Sequence, residues 1–164
     1  MLSFEFNKKS KNDFLKYLKG LEADILSIVQ AEIEDSLLKI EERAANDVAV
    51  NTGALKNSIQ TKPIKRTKNS VEGGVFVGAD YAPYVEFGTG TEVEVPKELV
   101  DFAKQFKGKG KRKVNLPARP FFYPEVFKQR EELPKNIDKS VKVFLNKKKW
   151  EILKSLLGKL IGKP

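Results

Sequence analysis

Between Lys11 and Asn46 the apolar positions recur every three or four residues: Phe14, Leu18, Leu21, Ile25, Val29, Ile33, Leu37, Ile40 and Ala44. A period near 3.6 places them on one helical stripe, while Glu32, Glu34, Lys39 and Glu42 fall off it. One long amphipathic helix is predicted, with Gly20 as its one potential break. It exceeds an average helix of about 11–12 residues, so it is expected to cross a sheet or a neighbouring subunit.

The pattern then shortens. In "VNTGALKNSIQ" the side-chain oxygen of Asn51 or Thr52 is placed to cap a short helical turn. Two β-like runs follow, Ile59–Arg66 and Ser70–Ala79, joined by "TKN" as a hairpin turn. Pro63 argues for an edge position in the first. Pro83 is expected to open a short helix carrying Tyr84, Val85 and Phe87, with Gly88 and Gly90 as breakers. "TEVEV" (91–95) reads as a further short strand, and "PKELVDFAKQF" (96–106) as a small helix. "KGKGKRK" (107–113) is expected to be a mobile loop tip. Three prolines make 116–127 a rigid, extended segment with its aromatics anchored in a core. The remainder reads as helix, with Pro134 at a start or kink and Ile137, Val141, Leu145, Ile152, Leu156 and Leu160 on its apolar face.

This order predicts an α+β fold. A long N-terminal helix and a C-terminal helix pack on a small antiparallel sheet, with a long irregular insertion. Residues 1–145 are expected to form one domain, and 146–164 a Lys-rich amphipathic helical extension.

Composition narrows the chemistry. The chain has 164 residues, 40% hydrophobic and 32% charged, the balance of a soluble globular protein. No apolar run approaches the roughly 20 residues of a membrane span, and no signal peptide is expected. With no Cys and no His, thiol nucleophiles, His-based triads and Cys/His zinc sites are excluded. The net charge is +9, concentrated at 104–119 and 142–163. Such patches suit nucleic acid, an anionic lipid surface or an acidic protein partner.

"DYAPYVEFGTG" (80–90) is the most chemically suggestive stretch. Its Gly-Thr-Gly lacks the following Lys of a phosphate-binding loop and the third Gly of a dinucleotide loop. Glu86 has no patterned carboxylate partner for acid/base work. A bidentate ion pair with Arg119 is expected instead, tying this segment to "ARPFF". Lys107, Lys109, Lys111, Arg112 and Lys113 are candidate contacts to DNA or to an acidic partner, although no aromatics are interleaved for base stacking. Residues 141–161, with Trp150 near the middle, are basic and amphipathic, which fits either a membrane surface or a packed helix.

Three motifs in order, "NTGALKNSI" (51–59), "VFVGADYAPYVEFGTG" (75–90) and "LPARPFFYPEV" (116–126), followed by a closing helix, resemble the minor tail or tail-completion family of long-tailed bacteriophages. The resemblance covers roughly residues 11–145. It implies a structural virion subunit at the head–tail interface or tail, without catalysis, cofactor, metal or small-molecule substrate. It also implies a homo-oligomeric ring, expected to be a hexamer, contacting a connector, stopper, tail terminator or tail tube, with DNA in the lumen. The motif residues it implies are Thr52, Gly53 and Leu55; Tyr81, Tyr84, Glu86, Phe87 and Gly88; and Arg119, Pro120 and Phe121. Departures from the usual pattern are the long basic insertion between Gly90 and Ala118 and the Lys-rich C-terminal extension. The competing expectation is a nucleic-acid-binding module using the basic loop and that extension.

Overall fold

The computed structural model describes residues 8–48, 53–89, 97–105 and 117–161. Helix α1 (Lys8–Asp47) runs without interruption through Gly20, and its 40 residues make it about 60 Å long. A Cβ at Gly20 would meet nothing within 4 Å, so the missing side chain leaves no packing gap. Then come α2 (Ala54–Asn57), β1 (Ile59–Arg66), β2 (Val71–Val77), α3 (Ala82–Phe87), a 3-10 turn (Lys97–Leu99), α4 (Val100–Lys104) and α5 (Tyr123–Ile161). The architecture is α+β. The expected cap at residues 51–52, the strand at 91–95 and the loop tip at 107–113 lie outside the described residues.

The hairpin is antiparallel, with Ile59 opposite Val77 and Thr61 opposite Val75. The register shifts between Lys62 and Lys65, where Pro63 has no N–H to give the ladder. Thr67 closes the turn, its N–H donating to the Ser70 carbonyl at 2.8 Å. At the hairpin tip Arg66 reaches α1, donating to the Ala23 carbonyl at 3.1 Å and Ser27 Oγ at 3.0 Å. On the outer edge of β1, the Glu41 carboxylate accepts from the Thr61 N–H at 2.9 Å and from the Thr61 hydroxyl. β2 lies so close on α1 that a Cβ at Gly73 would sit 2.6 Å from Leu37 Cδ1.

α1 packs against both the hairpin and α5, which runs antiparallel along it. Three polar contacts fix that register in opposite numerical order: Lys148 Nζ to Asp24 Oδ2 at 3.9 Å, the Ser140 hydroxyl to Glu32 Oε1 at 2.6 Å, and Arg43 Nη1 to Glu125 Oε2 at 3.3 Å. Burial rises along the stripe of α1. Leu18 is exposed, Ile25, Val29 and Ile33 are half-buried, and Leu37, Ile40 and Ala44 are buried. The core accordingly sits at the C-terminal end of α1, where Ala44, Val48, Leu55, Ile59, Ala82 and Phe121 form one cluster. Helix α5 passes through Pro134, and it starts at Tyr123, inside the stretch expected to be extended. Pro124 is tolerated there because first-turn N–H groups have no intrahelical acceptor to lose.

Candidate functional site

The short helix α3 explains how "DYAPYVEF" is used. Pro83 lies in its first turn, where a fixed φ favours helix and no N–H is needed. Ala82 and Glu86, one turn apart, both point inward, and Phe87 is buried beside them. Tyr81 and Tyr84 fall on the outer face and are exposed. Gly88 then turns the chain at φ 67°, ψ 178°, a region open essentially to glycine alone.

Glu86 is only 4% exposed, and its carboxylate has specific partners. Oε2 accepts from the Phe121 N–H at 2.9 Å and the Phe122 N–H at 3.0 Å, and Oε1 accepts from the Tyr123 N–H at 3.1 Å. These donors lead into the first turn of α5, where backbone N–H groups lack intrahelical acceptors. A carboxylate there also meets the positive end of the helix dipole. Beside this clamp, the Arg119 N–H donates to the Val85 carbonyl at 2.9 Å.

The expected Glu86–Arg119 ion pair is therefore corrected. Glu86 is held by backbone amides, Arg119 contributes its main chain, and its side chain is exposed. The physical reason is pre-organisation. Helix-start amides offer donors at fixed positions, whereas a guanidinium must give up rotamer freedom to reach the same carboxylate.

Aromatic packing completes the corner. The Phe87 ring lies 5.5 Å from that of Tyr123 and 6.0 Å, edge-on, from that of Phe102, which brings α4 to the same place. A cavity of about 180 Å³ remains, lined by Val77, Ala82, Phe87, Phe102 and Phe121 among others, with Glu86 as its acidic group. Burial, and then the negative charge of Glu86, push the Tyr123 phenol above its ordinary pKa. Both Glu86 oxygens already accept from backbone N–H groups, so the carboxylate acts here as a structural acceptor. Among the described residues no group of acids is placed to hold a metal ion, and no helix is long and apolar enough to cross a membrane.

The structure brings the three sequence motifs together. Leu55 from the first, Ala82 from the second and Phe121 from the third belong to one buried cluster. Gly53 precedes α2 at φ 67° and its carbonyl accepts from the Asn57 N–H at 2.9 Å. Pro120 is exposed. Thr52 and the basic residues Lys107, Lys109, Lys111, Arg112 and Lys113 lie outside the described residues. Sequence reasoning missed Phe122 and Tyr123, whose contribution is made by backbone N–H groups that leave no mark on residue type. Phe102 carried a usable signal, as an apolar position of the small helix expected at 96–106.

Residues 11–88 match the model of the HK97-gp10-like family, described as a proposed bacteriophage tail component. The matched span runs from α1 to the glycine that ends α3, so it includes Glu86 while the amides that Glu86 binds lie beyond it. The match supports a structural phage role and a place in the virion. No curated protein and no solved structure matches the chain.

Proposed function

We propose that this chain is a tail-completion or head–tail joining subunit of a tailed phage or prophage, working through protein–protein assembly and without catalysis. The observation that carries this reading is the tail-component match over α1, the hairpin and α3. The buried clamp fits the same reading. The buried Glu86 carboxylate ties a 39-residue helix to the matched region, as a part that bears load between neighbours would need. In this proposal the chain forms a homo-oligomeric ring that contacts a connector, stopper, tail terminator or tail tube. Residues 1–145 serve as the ring domain and 146–164 as an extension that continues α5.

Immunogold labelling of purified particles with an antibody to this chain tests the placement. Gold at the head–tail junction is expected. Particles that carry no label anywhere overturn it, and label confined to the distal tail overturns the joining role.

A further inference from the structure

Two surface ridges of opposite charge lie on different helices, and each centres on an exposed apolar residue. On α1, Leu38 is 59% exposed and stands one turn from Glu34 and one turn from Glu42. On α5, Val143 is 63% exposed and stands one turn from Lys139 and one turn from Lys147. Two turns beyond Val143 the same face of α5 carries Trp150, 60% exposed, with Lys154 over its ring at 5.8 Å. Leu38 is not on a flat surface. It lines an open groove of about 580 Å³ whose other walls include Glu41, Glu42, Ala45, Ile59 and one basic residue, Lys56.

We propose that copies of this chain join head-to-tail, with the Val143–Trp150 ridge of one α5 seated in the Leu38 groove of the next copy. This rests on the assembly reading above and names the surfaces it would use. The occupant is identified by complementarity. An apolar ridge bracketed by lysines faces a groove lined by Leu38, Ala45 and Ile59 in which Glu41 and Glu42 outnumber Lys56, with Glu34 one turn from Leu38 on the same helix face. Leu38, Val143 and Trp150, the apolar centres of the two ridges, all remain exposed. The two surfaces differ, so the contact is heterologous and each chain offers one of each; such contacts close into a ring when the rotation allows. The exposed ion pairs would orient the contact, and the buried apolar side chains would supply most of its strength.

The test uses the full chain and two charge-reversed forms. Glu34→Lys with Glu42→Lys makes both surfaces basic, and Lys139→Glu with Lys147→Glu makes both acidic. Mass in solution is followed against concentration, together with the emission of Trp150, the only tryptophan. The unaltered chain is expected to associate, with Trp150 emission moving to shorter wavelength as the ring is buried. Each reversed form alone should need at least about tenfold higher concentration to associate. An equimolar mixture of the two should recover both the mass and the emission shift, which also shows that each form is folded. If the reversed forms associate as well alone as the unaltered chain does, the ridge-and-groove contact is overturned while the ring survives. If the unaltered chain stays monomeric at every concentration, the self-contact is overturned, and placement at the junction still stands or falls by the gold label.

Discussion

Glu86 is the residue on which the corner turns, and its partners set what substitution should do. Glu86→Ala leaves the N–H groups of Phe121, Phe122 and Tyr123 without their acceptor, in partly or fully buried positions. A loss of about 2–4 kcal/mol is expected, read as a lower urea midpoint with an unchanged slope. Arg119→Ala removes only an exposed side chain, so its effect should stay within about 0.5 kcal/mol. Comparable losses from both would restore the ion pair that the geometry replaces. Gly88→Ala forces a Cβ into a backbone region that only glycine occupies comfortably, and should cost about 1–3 kcal/mol in the same assay. Tyr123 adds a pH dependence. Its folded-state pKa is raised above the ordinary 10.0, so as pH climbs the unfolded chain loses this proton first. The contribution is complete below pH 10 and declines as pH rises through the folded-state value. Tyr123→Phe should therefore flatten the alkaline fall in stability measured from pH 9 to 11, and an unchanged profile would contradict it.

At the scale of elements, Pro134 is the clearest local conflict. It lies inside α5, where it removes an N–H and crowds the carbonyl of Arg130. Its side chain is exposed, so Pro134→Ala restores a helical hydrogen bond without disturbing the core. A gain of about 1–2 kcal/mol is expected, seen as a rise in melting temperature of several degrees. The elements themselves were largely legible. α1 follows from its apolar stripe, and β1 from a β-like run whose Pro63 argued for an edge position; that the register would shift beside it was not foreseen. What escaped the sequence had physical causes. Tyr81 and Tyr84 stood among the motif residues, yet the helical phase of α3 turns them to solvent and gives the interior to Ala82 and Glu86. The start of α5 was hidden by Pro124, a breaker in a helix interior but a neutral residue in a first turn. The clamp was illegible because backbone amides, which every residue but proline possesses, supply its donors.

For the whole molecule, the described core gathers at one end of α1, and the two long antiparallel helices keep large apolar side chains exposed, Leu38, Val143 and Trp150 among them. That distribution suits a part that is completed by its neighbours, in keeping with the tail-component match. The most direct measurement is electron microscopy, with infectivity, of particles made by a phage or induced prophage lacking this gene. Filled heads and separate tails that fail to join are predicted, with joining restored by the unaltered chain supplied in trans. Normally joined, fully infectious particles made in its absence would contradict a role in completing the tail or joining it to the head.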